Sequence, residues 1–195
     1  MNHQPDQYYI DQVLEGQVNA FSTLVERYQS LVYTVVYRMI KNKEQAEEVA
    51  QDTFIKAYKS LNKYRGDAKF STWLYTIAYR KSLDTIKASK RMMTSELIEE
   101  ISEGEVGLVN DALAYLEDKE RKQIISDSIM QLPKEEAAII TLYYFEEKSV
   151  KEIIPIVGLT ADNVKIKLYR SRKKLYSILK HHISPEISTR NGRAI

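Results

Sequence analysis

The sequence predicts an all-α protein: two small helical domains joined by an acidic linker. Three observations carry this. Apolar residues recur at three- and four-residue spacings in several long runs, the stripe of an amphipathic helix. Gly and Pro number only 6 and 4 in 195 residues, so loops are few. Charge is uneven along the chain although the net is only +2: 56–91 is basic, 95–120 acidic, and the final helix basic again. The expected organisation is a first domain at 10–92, a linker at 93–120, a second domain at 121–182 and a mobile tail at 183–195.

In chain order, 10–14 reads as a short helix ended by Gly16, and Asn19 is placed to cap the next. Phe21, Leu24, Val25, Tyr28, Leu31, Val32, Val35, Val36 and Met39 then keep helical register, which makes this the central core helix. Asn42 with Gln45 is a capping-box spacing, and Ala46, Val49, Ala50, Phe54, Ala57, Tyr58 and Leu61 give the third stripe. The opposite face carries Glu44, Glu47, Glu48, Gln51 and Asp52. Acids favour a helix start, so this is either a solvated face or a protein-docking surface.

The 65–84 stretch concentrates rings and cations. Ser71 is a good N-cap, so a helix is expected to begin near Thr72, with Phe70 stapled to Tyr75 and 64–69 a loop. Lys69, Tyr75, Tyr79, Arg80, Lys81 and Lys87 supply the flat surfaces and positive charge that suit unstacked bases on a phosphate backbone. Phe70 and Trp73 fit either a base platform or a packing centre.

After the linker, Ile124, Ile125, Ile129 and Met130 mark one helix, Leu132-Pro133 breaks it, and 135–145 forms another. Ser149 with Glu152 is a capping box for a short helix, Gly158-Leu159 is a turn, and Thr160 caps a last, cationic helix. Val164, Leu168, Leu175 and Leu179 should face inward; Asn163, Lys165, Lys167, Arg170, Arg172, Lys173 and Lys174 should mostly face out. This is a helix-turn-helix, whose second helix enters the major groove. Pro155, inside the short helix, is expected to kink it.

The chain has no Cys and three His, two of them adjacent, so no metal centre, disulfide or cofactor site is expected. No glycine-rich phosphate loop or convergent carboxylate pair points to an enzyme or a small-molecule substrate. A polar N-terminus and the lack of a long apolar run argue for a cytoplasmic protein with no membrane insertion.

Together the motifs resemble the extracytoplasmic-function sigma factors of bacterial RNA polymerase. The matching residues are Gly16 with Ala20-Phe21, the run Ala46-Glu47-Glu48-Val49-Ala50-Gln51-Asp52, Phe70-Ser71-Thr72-Trp73-Leu74-Tyr75, Leu132-Pro133, Gly158-Leu159-Thr160 and Arg170-Ser171-Arg172-Lys173. The resemblance implies that Glu47, Glu48, Gln51 and Asp52 dock on core RNA polymerase. It implies that Tyr64, Lys69, Phe70, Trp73, Tyr75, Tyr79, Arg80 and Lys87 capture the melted downstream promoter element. Thr160, Asn163, Lys165, Lys167, Arg170, Arg172 and Lys173 would read the upstream element as duplex, the linker would thread the polymerase channel, and an anti-sigma factor would be a partner. Arg80 departs from the family's usual Asn. The alternative is a helix-turn-helix regulator that acts on duplex DNA without core polymerase.

Overall fold

The computed structural model describes residues 4–90 and 118–190. Every regular element there is helical: α1 (Asp6–Leu14), α2 (Ala20–Ile40), α3 (Lys43–Lys59), a 3-10 turn (Leu61–Lys63), α4 (Phe70–Lys90), α5 (Asp118–Met130), α6 (Lys134–Tyr144), α7 (Val150–Val157) and α8 (Ala161–Arg190). The all-α expectation holds. The expected linker lies outside the described residues, apart from 118–120, which already belong to α5.

α2 is the hub of the first domain, packed by α1, α3 and α4. Leu24, Val32, Val35, Val36 and Met39 are fully buried along it, the stripe read from sequence. Asn42 accepts the Gln45 amide at 2.9 Å and starts α3 as expected. Asn19 precedes α2 but its side chain does not cap; its carbonyl accepts from Ser22 Oγ instead. α1 begins earlier than expected because Asp6 is held by the second helix: Arg27 Nη1 pairs with its Oδ1, and Tyr28 donates to Oδ2 at 2.6 Å.

The start of α4 needs correction. The helix opens at Phe70, with the Lys69 carbonyl accepting from the Thr72 and Trp73 amides at 2.9 and 3.2 Å. Ser71 lies inside the helix rather than at its cap, and its Oγ accepts from Lys148 Nζ at 2.8 Å. A contact from the second domain has taken the hydroxyl that a cap would use.

In the second domain, the capping box of Ser149 and Glu152 is complete, Gly158 ends α7 in the left-handed conformation (φ 70°), and Thr160 Oγ1 accepts from the Asn163 amide at 3.3 Å. Pro155 does not interrupt α7, which is helical through Val157. Lys151, whose carbonyl loses its partner, and Pro155 both lie on the exposed side of this short helix. α8 also continues through Pro185 to Arg190, where a mobile tail is expected. Extending a formed helix is far cheaper than starting one, and a single missing amide does not stop it. Residues 191–195 lie outside the described residues.

The two domains pack directly, α2 against α6 and α4 against α7. Arg38, 6% exposed, donates from Nη1 to Thr141 Oγ1 at 2.8 Å and stacks over the Phe145 ring at 4.3 Å. Burial lowers its pKa, and nearby Glu146 partly offsets the shift. Lys41 Nζ donates to the Leu132 carbonyl at 2.9 Å.

Candidate polymerase and nucleic-acid interfaces

Glu47, Glu48, Gln51 and Asp52 are all exposed on the outer side of α3, since Ala46, Val49, Ala50 and Thr53 take the buried side. They do not form one flat patch. Glu47 and Gln51 border an open groove of about 450 Å³ between α2 and α3, which Val25, Gln29, Ser30, Tyr33, Ala50 and Phe54 complete. Asp52 turns to α4 and accepts from Lys81 Nζ at 2.7 Å. The α2 wall of this groove is absent from the sequence-derived set. Its trace was the half-polar edge Val25, Gln29, Tyr33, one helical turn apart each time.

The ring-and-cation segment separates into two populations. Tyr64, Phe70 and Trp73 form a cluster with centroid distances of 5.5–5.7 Å, and Tyr64 Oη donates to the Ala68 carbonyl at 2.7 Å, fixing the loop. Within it Phe70 is buried (1% exposed) while Tyr64 and Trp73 are part-exposed. Burying a Phe stabilises a fold by about 2 kcal/mol, comparable to what one stacked base returns, so packing has first claim on Phe70. Tyr75 and Tyr79 are also buried, at 0% and 2%, and present no ring to a base in this arrangement. They fall on the buried side of α4 with Leu74, Ala78 and Ser82. Arg80 and Lys87 are exposed.

The second domain covers part of this segment. Tyr75 Oη donates to Glu146 Oε2 at 2.6 Å; burial first, then that bond, pushes the phenol far above its ordinary pKa. Lys148, besides its bond to Ser71, has Nζ 5.8 Å from the Tyr75 ring, and burial holds its pKa below the usual lysine value against the pull of Glu152. Lys69 Nζ lies 3.2 Å from Glu152 Oε1. A cation suited to phosphate and a buried phenol are thus both satisfied by acids of the other domain.

On α8, Val164, Leu168, Ser171 and Leu179 are buried, and the Leu175 side chain is half-buried beside them. At 3.6 residues per turn, the opposite face carries Asp162, Ile166, Tyr169, Arg170 and Lys173. Thr160, Asn163 and Lys165 are exposed near the helix start, Lys165 with Asp162 at 3.8 Å. Lys167 and Arg172 lie on the flanks: Lys167 pairs with Glu135 at 3.0 Å, and Arg172 Nε donates to Tyr144 Oη at 2.6 Å. Ile166 and Tyr169, 47% and 44% exposed, are absent from the cation-based expectation, although helical angle alone marks them.

A helical first domain joined to a helix-turn-helix fits the class of RNA polymerase sigma factors, and two family models place the chain in it. Residues 24–92 match the family model of Sigma-70 region 2, and 122–175 that of Sigma-70, region 4. The chain is 33% identical over 175 residues to the ECF RNA polymerase sigma factor SigW of Bacillus subtilis, covering 85% of this chain and 92% of the relative. It is 31% identical over 176 residues to the ECF RNA polymerase sigma-E factor of Escherichia coli K12, covering 87% and 92%. The chain belongs to the extracytoplasmic-function sigma factors of bacterial RNA polymerase.

Solved structures share its fold, two of them over most of the chain. One is CnrH in complex with the cytosolic domain of CnrY, with a TM-score of 0.63 and 21% identity over 90% of this chain and 97% of that one. The other is the sigma factor RpoE in complex with the anti-sigma factor NepR from Bartonella quintana, at 0.62 and 18% over 82% and 96%. Among the described residues no helix is long and apolar enough to cross a membrane.

Proposed function

We propose that the two domains divide promoter-directed initiation between them. The α3 face of Glu47, Glu48, Gln51 and Asp52, with the adjoining α2–α3 groove, takes the core polymerase. Tyr64, Lys69, Trp73, Arg80 and Lys87 take the melted downstream element, joined by Phe70, Tyr75 and Tyr79 as walls. The outer face of α8 reads the upstream element, with Thr160, Asn163, Lys165, Arg170 and Lys173 in the groove and on its phosphates, and Lys167 and Arg172 at its margins. No catalytic centre or cofactor is part of this reading, and the protein works in the cytoplasm.

The observation that carries it is the open groove bordered by Glu47 and Gln51, an apolar recess with a polar rim on a chain whose other domain is built to hold duplex. Because Glu146, Lys148 and Glu152 occupy the start of α4, promoter capture requires the domains to separate, and core binding is the step that separates them. An anti-sigma factor that grips both domains would hold this state, in keeping with the complexes formed by the two proteins of like fold.

The test is gel filtration of the full chain with bacterial core polymerase, followed by transcription from selected promoters. Wild type should elute with the large enzyme and Asp52→Lys should not, whereas Lys165→Glu with Arg170→Glu should elute with it and fail at the promoter. Equal loss of polymerase binding in both variants would overturn the division of labour.

A further inference from the structure

We propose that Ile166 is a specificity-determining residue that reads the 5-methyl group of one thymine in the upstream element. The proposal rests on α8 being the duplex-reading helix.

Ile166 is the sixth residue of α8, within the first two turns that enter a groove in this motif. It is 47% exposed and lies opposite the buried Val164, Leu168 and Ser171, so it holds no other helix in place. α8 packs on α5, α6 and α7 through that other side. The residue is central on its face: Asp162 sits one turn before it and Tyr169 and Arg170 one turn after. Lys165, 66% exposed, lies to one side of it, a charge fitted to a phosphate wall of a groove, while the exposed Arg170 extends the same central face. A central position therefore meets base edges, and flanking positions meet phosphates.

Chemistry narrows what Ile166 can recognise. Its side chain has no donor or acceptor, and the thymine methyl is the apolar group that a base pair displays in the major groove. Asp162, an acid on the same face, is a poor phosphate ligand and supports an outer surface turned to base edges rather than to the backbone.

The probe is a duplex element enriched from random duplexes by holoenzyme made from the full chain and bacterial core polymerase. Each thymine in it is replaced singly by deoxyuridine, which removes only the methyl. At one position the substitution should weaken wild-type binding about fourfold, the worth of one methyl withdrawn from water. Ile166→Ala should bind the thymine element as weakly as wild type binds the uracil one, and should not discriminate between them. Ile166→Val, which keeps a branched apolar surface, should retain most of the discrimination, and co-elution with core polymerase shows that each variant is folded.

Wild type blind to every such replacement, an enriched element without thymine, or undiminished discrimination in Ile166→Ala would overturn the role of Ile166. Enrichment that survives Lys165→Glu with Arg170→Glu would instead overturn the reading of α8 itself, and this proposal with it.

Discussion

Glu152 sits where a helix cap and a domain contact meet. Its Oε2 accepts from the Ser149 hydroxyl at 2.8 Å and the Ser149 amide at 3.0 Å, while Oε1 faces Lys69. The Ser149 side chain, then its backbone, lower the Glu152 pKa from 4.5 to about 2. The unfolded chain regains the ordinary value, so between 4.5 and about 2 it binds the proton more readily, and stability falls as pH falls. Above 4.5 the contribution is complete. Acid-unfolding curves followed by circular dichroism should therefore lose this part of their slope in Glu152→Gln. Gly158 gives a second prediction: a Cβ there meets nothing within 4 Å, so Gly158→Ala should cost only the left-handed conformation, about 1 kcal/mol in denaturant titration. Both residues were legible in sequence because their partners lie within a turn. Ser71 was not, because the group that takes its hydroxyl is Lys148, 77 positions away.

At the scale of an element, α7 shows how little a rule about proline decides when the helix is short. Pro155 removes one amide donor from an exposed side, and the capping box with Gly158 fixes both ends around it. Pro155→Ala should return that hydrogen bond and raise the second domain's stability by about 1–2 kcal/mol in thermal unfolding, after allowing for a more flexible unfolded chain. α8 teaches a different point. Apolar periodicity located its buried side, but cationic character alone does not separate its outer face from its flanks. Angle does: Lys167 and Arg172 fall beside α6, where Glu135 and Tyr144 take them. α4 combines both effects. Its ring-rich composition was legible, whereas the partner of the Tyr75 hydroxyl is Glu146, which sequence periodicity cannot bring near.

For the whole molecule, the contact between domains sets how much of the start of α4 is exposed. Arg38 is a buried cation in that contact, and its removal costs a buried, charge-assisted hydrogen bond and a cation–π contact. Arg38→Ala should shift the balance toward separated domains by about 2 kcal/mol, roughly thirtyfold, without altering the unfolding of either domain. A fluorophore pair, one on α3 and one on α8, would read the shift as a longer distance. The same contact has a consequence for a cut chain. Severing the backbone between residues 91 and 117 would turn an internal equilibrium into a bimolecular one. The two fragments would then form a heterodimer, and the product of their dissociation constant and the closure equilibrium constant of the intact chain would give the effective concentration that the connecting segment imposes.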